Sequence, residues 1–190
     1  MTELSRRGFL AATGGAIASS WLFADPAALV AAGEHAARAA RAIPPLPFEY
    51  LTPGDAAEIE AAAAQIIPSD ESPGAREARV VYFIDKSLAT WAKDQRKGFA
   101  DAVAELRKRA RASGARTFAA LTDAQQHAVI AALEQDKHVA FFTIRGATLA
   151  GMLSNPEYGG NFNKAGWKLI GFSDQFSWAP PFGWYDANER

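Results

Sequence analysis

The groups with which this chain could do chemistry are few: three histidines, no cysteine, and carboxylates with no evident partner base. Without cysteine there is no thiolate-held iron–sulfur cluster, no C-x-x-C-H haem attachment, no thiol nucleophile and no disulfide. His127 falls in a helical stretch, His138 near the start of another, and His35 in a proline-rich link. Glu134 and His138 are four apart, but a helix break is expected between them, and no H-E-x-x-H is present. Surface or capping histidines are the better reading. Asp70 and Glu71, in "PSDESPG", suit capping of a following helix better than acid–base work, since no base or nucleophile lies near them in sequence. "YGGN" lacks the spacing of a phosphate-cradling loop; Gly159 and Gly160 fit a positive-φ turn whose backbone Asn161 can bond. Nothing in these residues reads as a redox-cofactor holder or a catalyst.

The elements that position these residues are helical. "LTPGDAAEIEAAAAQIIPSD" has Thr52 as cap, Pro53 at the first position, Asp55 reaching back, an apolar stripe of Ile59, Ala62, Ala63, Ile66 and Ile67, and Pro68 as stop. A second helix is expected from about Pro73, with Val80, Phe83, Ile84, Leu88 and Trp91 inward and Arg76, Asp85 and Lys86 on the surface. A third runs from about Asp94 to Ser113 on Phe99, Val103 and Leu106. Arg107, Lys108, Arg109 and Arg111 crowd its dipole-matched end, and Gly114 is a C-terminal cap. Thr122 and Gln125 open a fourth. A fifth spans about Asp136 to Ser154 with Val139, Phe142, Leu149, Met152 and Leu153 as core, and Asn155-Pro156 ends it. A short helix is expected near Asn163 to Ile170. With no β-alternation, the fold class is all-α, a small bundle-like domain with an irregular aromatic C-terminal arm.

The division along the chain is a leader at 1–32, an Ala- and Pro-rich extended link at 33–50, the helical domain at 51–173 and the arm at 174–190. The leader places Arg6 and Arg7 before Phe9, Leu10 and a run of apolar and small residues that ends at Asp25-Pro26. This is the pattern of a twin-arginine export signal, which serves proteins already folded. Its cleavage site is open among several alanines. The other reading is a chance arginine pair before an amphipathic helix, and an uncleaved leader would act as an anchor. A formal net charge of −1 gives no field to attract nucleic acid. In the arm, Trp178, Phe182, Trp184 and Tyr185 follow Trp167, Phe172 and Phe176. So dense an aromatic run suits a protein interface better than the core of a small bundle.

Taken in order, "LTPGDAAEIEAAAAQIIPSDESPGAREARVVYFIDKSL", "FAALTDAQQHAVIAALE" and "FFTIRGATLAGMLSNPEYGGNFNKAGWKLIGF" resemble the gluconate 2-dehydrogenase subunit 3 family, over about residues 50–173. The chain departs from that pattern at "FSDQFSW", where relatives often have a glycine-containing turn. The resemblance implies a small non-catalytic subunit of a membrane-associated sugar or sugar-acid dehydrogenase. In such complexes FAD and the catalytic residues sit on a large flavoprotein of the glucose–methanol–choline type. A multihaem cytochrome c subunit, carrying haem c, commonly passes the electrons on. The small subunit would assist maturation of the flavoprotein and carry it through the twin-arginine translocase to the periplasm. No catalytic residue, cofactor or metal is implied for this chain. Its expected partner contacts are Tyr158, Gly159, Gly160, Asn161, Trp167 and the Trp178–Tyr185 arm. The alternative is a stand-alone periplasmic helical enzyme or ligand-binding protein using Asp70, Glu71 or His127.

Overall fold

The computed structural model describes residues 47–175 and 177. They form six α-helices and no strand, the expected all-α class. The helices are α1 (Pro53–Ile66), α2 (Val80–Ala89), α3 (Arg96–Ala112), α4 (Asp123–Gln135), α5 (Val139–Leu153) and α6 (Ala165–Ile170). Of the leader and link, only residues 47–50 lie among the described residues.

Local chemistry sets several helix ends as the sequence suggests. The Asp55 N–H donates to the Thr52 hydroxyl, that hydroxyl donates back to the Asp55 carboxylate, and Pro53 opens α1. Thr122 and Gln125 form a reciprocal capping box on α4. Gly114, at φ 85°, turns the chain out of α3. α5 is the central helix: eleven of its fifteen residues are buried, and it packs on all five others. One apolar cluster joins α1, α2 and the C-terminal half of α5, around Ile59, Phe83, Leu88 and Met152. The other joins α3, α4 and the N-terminal half of α5, around Leu106, Phe118, Leu133 and Ile144.

Three expectations need correction. α2 begins at Val80 rather than near Pro73, because residues 75–79 are turns and Arg79 is left-handed, at φ 54°. The cause is a backbone approach: a Cβ on Gly74 would stand 2.5 Å from the Ile67 carbonyl oxygen, and the Ala75 N–H donates to that same oxygen. Val139 is 69% exposed rather than core, because α5 starts only after the left-handed Lys137 and its first residue precedes the packed part of the helix.

The third correction matters most. Asp85 and Lys86 are buried. The Asp85 carboxylate accepts the backbone N–H groups of Glu49, Tyr50 and Leu51 at 2.8, 3.0 and 2.8 Å. Lys86 Nζ reaches both oxygens of Glu49, at 2.6 and 2.8 Å. The ring of Phe48 packs on Tyr82, and the Arg96 guanidinium lies 4.3 Å from the centre of the Tyr50 ring. These contacts clasp residues 48–51 to the outer side of α2.

The turn between α1 and α2 is knitted by Glu77. Its carboxylate accepts from the Gly74 N–H at 2.8 Å and from the Ser69 hydroxyl. The Ser69 bond is the main influence holding the Glu77 carboxyl below its ordinary range; partial burial opposes it, and the Gly74 N–H and Arg76 assist. Asp70 accepts from the N–H and hydroxyl of Ser72, so it caps this turn rather than a helix.

Two outcomes follow. Asp85→Ala leaves three amides without their acceptor and is expected to cost about 3 kcal/mol in denaturant unfolding, with Asp85→Asn recovering part. The Glu77 contribution is complete above the ordinary glutamate value and is lost as pH falls through the depressed one. The protection of the Gly74 amide, measured as its exchange rate relative to an unstructured amide at the same pH, should therefore fall on acidification in the wild type, and Glu77→Gln should abolish that dependence.

Candidate functional site

The expected contact residues Tyr158, Gly159, Gly160, Asn161 and Trp167 come together on a strap, residues 155–164, and on α6 behind it. The strap begins with Asn155, whose carboxamide oxygen accepts from the Glu157 N–H at 3.1 Å and starts a single 3-10 turn. Gly159 then takes φ 95°, the left-handed turn expected after Pro156. Gly160 has a different task. A Cβ there would lie 2.2 Å from the Gly151 carbonyl oxygen, so the strap rests backbone on backbone against α5. Gly166 does the same at the start of α6, where a Cβ would lie 1.8 Å from the Met152 carbonyl oxygen.

Asn161 joins these pieces. It is fully buried and left-handed, at φ 46°. Its amide donates to the Ser154 carbonyl at 2.9 Å, satisfying the end of α5. Its carbonyl oxygen accepts from Gly166 N–H at 2.8 Å, satisfying the start of α6. One side chain thus bonds the terminus of one helix to that of the next. The Trp167 indole N–H donates to the Leu153 carbonyl at 2.8 Å, a second tie.

The strap runs along α2. Tyr158 meets Trp91 beyond the C-terminal end of α2, with ring centres 6.2 Å apart. At the other end the Phe162 N–H donates to the Ala78 carbonyl at 3.1 Å, and the Arg79 guanidinium lies 4.0 Å from the centre of the Phe162 ring. Arg79, Asn161, Asn163 and Lys164 all have positive φ without being glycine. Such backbone costs of order 1–3 kcal/mol per residue and is kept where surrounding contacts enforce it.

The interior thus uses Gly159, Gly160 and Asn161, while Tyr158 and Trp167 are half-buried. Trp178, Phe182, Trp184 and Tyr185 lie outside the described residues, as do Arg6, Arg7, Phe9 and Leu10. Sequence reasoning missed Arg79, Gly151 and Gly166. Gly151 did leave a signal: a glycine inside a helix costs roughly 1 kcal/mol and marks a close approach.

Several of the remaining charged groups are engaged structurally. Glu58 is fully buried on α1; it accepts from Arg107 Nε at 2.9 Å and from the Ala119 N–H at 2.9 Å. Arg107 also pairs with Asp55 at 2.8 Å. Burial disfavours the Arg107 cation, but its bonds to Glu58 and Asp55 outweigh this and raise its pKa. The basic end of α3 is thus cross-tied rather than simply solvated, since Arg109 likewise reaches Glu105 and Asp136. A groove of about 410 Å³ lies between α1 and α3, floored by Ile59, Phe99 and Val103, with the Asp55–Arg107 pair on its rim. His138 Nδ1 accepts the Ala140 N–H and caps α5, and His127 is exposed on α4. Among the described residues no group of three or more His, Asp or Glu side chains is placed to hold a metal, and no helix is long and apolar enough to cross a membrane.

Residues 53–174 match the family model of gluconate 2-dehydrogenase subunit 3. The chain belongs to that family. The matched span runs from the first residue of α1 to the residue whose carboxylate pairs with Lys164, at 2.7 Å, and so takes in the whole helical body and the strap. No curated protein and no solved structure matches the chain. Subunit 3 is an accessory subunit of a dehydrogenase complex, so the strap and α6 belong to a protein that works beside another chain.

The Asn161 bridge and the glycines beside it yield a graded test by thermal or denaturant unfolding. Asn161→Ala loses two buried hydrogen bonds at a left-handed position and is expected to cost about 3 kcal/mol. Gly160→Ala drives a methyl into backbone and should cost at least as much. Gly171→Ala, where the chain is left-handed but open, is expected to cost about 1 kcal/mol.

Proposed function

We propose that this chain is the non-catalytic subunit that matures, stabilises and exports an FAD-dependent dehydrogenase of the glucose–methanol–choline type. Membership of the subunit 3 family is the observation that carries the reading. The structure supports it with a domain whose buried charges serve as clamps: Glu58 holds α1 to α3, and Asp85 and Lys86 hold residues 49–51. FAD and the reacting groups are assigned to the partner flavoprotein, and haem c to a cytochrome subunit downstream. Arg6 and Arg7, with Phe9 and Leu10, supply the export signal for the assembled pair, which takes the complex to the periplasm through the twin-arginine translocase.

The chemical logic is one of division. Folded export suits a flavoprotein, since FAD binds a folded site. A partner that binds the loaded flavoprotein stabilises that state by mass action. The subunit needs contact and an address, not bond chemistry.

Co-expression of the flavoprotein with wild-type chain, and with Arg6→Lys/Arg7→Lys, tests this. The expected result is FAD-loaded flavoprotein in the periplasm with the wild type and its retention inside the cell with the double variant. Equal periplasmic activity in both overturns the carrier role.

A further inference from the structure

The exposed apolar side chains of the described body are unevenly placed. Val139 stands alone at the tip of α5, and Tyr50 is covered on one ring face by Arg96. Ile170 and Phe172, by contrast, are 45% and 46% exposed, two positions apart, and Phe172 meets the half-buried Trp167 with ring centres 5.0 Å apart. Single exposed apolar residues are ordinary on a surface, whereas an aromatic-centred cluster marks an interaction site.

This cluster is held rigidly. α6 is six residues long and too short to be stable by itself, so its position depends on its ties. Those ties are numerous: Asn161 to Gly166, Trp167 to Leu153, Gly166 pressed on Met152, and Lys164 paired with Asp174 at 2.7 Å. The chain also accepts left-handed backbone at Asn161, Asn163 and Lys164 immediately before α6. Strain of that kind is kept where it positions something. What it positions here is Trp167, Ile170 and Phe172. A pre-organised aromatic anchor loses little entropy on binding, as interface hot spots require. Lys168, exposed between Trp167 and Leu169, adds a cation to the rim.

We propose that the Trp167–Ile170–Phe172 face of α6 is the surface by which this subunit docks on its dehydrogenase partner, and that the partner offers an apolar cleft edged by carboxylate opposite Lys168. The proposal rests on the reading of the chain as a subunit. Three features commit the face to that occupant. The family is one of subunits that work beside another chain. The platform is fixed by contacts within this chain, so Ile170 and Phe172 are presented in a set pose. The aromatic run of residues 176–185 follows it directly in sequence and extends the same chemistry.

The test uses the full chain co-expressed with the flavoprotein. Ile170→Asp and Phe172→Asp are made singly, with Val139→Asp as a still more exposed apolar comparator elsewhere. Each variant should keep the wild-type helical circular dichroism. Wild type and Val139→Asp should retain the flavoprotein on co-purification, while the α6 variants weaken it on the order of tenfold or more. Lys168→Glu should weaken it further as salt is lowered, since like charges then face each other. A photo-crosslinker at position 170, which does not depend on the aspartate variants folding, should capture the flavoprotein. Crosslinks confined to residues 176–190 of the same chain, or to a second copy of it, overturn the proposal, as does undiminished retention by the α6 variants. If even the wild-type chain fails to retain the flavoprotein, the subunit reading falls and this inference with it. Retention by every variant overturns only the surface.

Discussion

A carboxylate enclosed in protein must be given donors, and the way this chain meets that demand organises the whole domain. Glu58 and Asp85 are both buried, and neither is satisfied by its own helix. Glu58 takes its donors from α3 and from the turn at Ala119; Asp85 takes three consecutive amides from the segment ahead of α1. Each pairing joins pieces far apart in sequence. Apolar packing decides that the helices associate, and these two acids decide which parts of the chain must lie beside which.

The same economy governs the C-terminal half. α5 is so enclosed that the strap and α6 meet it backbone to backbone, which Gly160 and Gly166 permit, while Gly151 of α5 itself makes room for Val80 and Phe83. Once backbone meets backbone, the polar ends of α5 and α6 need partners, and the Asn161 carboxamide supplies one to each. The strained strap is the price of that geometry, and its product is a short helix in a fixed pose. For an accessory subunit this is a fitting use of structure: the polar and backbone contacts of the C-terminal half serve to fix where α6 lies.

How much of this was legible in the sequence follows from the range of the forces involved. Thr52-Pro53, Thr122–Gln125 and Gly114 announce helix ends because capping acts within a few residues. The left-handed turn at Gly159 was legible for the same reason, whereas the Asn161 side chain bonds Ser154 and Gly166, at the ends of two helices, rather than the turn backbone that its position suggests. Asp85 and Lys86 read as surface residues because helical spacing sets them off the apolar stripe, and their partners lie 34 to 37 residues earlier. The late start of α2 depends on Gly74 meeting the Ile67–Ser69 backbone, and spacing within α2 carries no trace of it. Val139 fits the stripe of α5, but a stripe does not show where the neighbouring helices stop. The internal task of Gly160 was hidden similarly, since only the fold brings it to Gly151.

The clasp at Asp85 also has a mechanical meaning. Any pull on the chain upstream of Pro47 reaches Glu49, Tyr50 and Leu51 before it reaches Thr52 and the first turn of α1. Three hydrogen bonds and the Lys86–Glu49 ion pair share that load and pass it into α2, in the middle of the apolar core. A helix hauled by its own end frays from that end; here α1 lies behind an anchor and is shielded from the tension. Tension arriving from the N-terminal side is therefore borne by α2 and the core before it can reach α1.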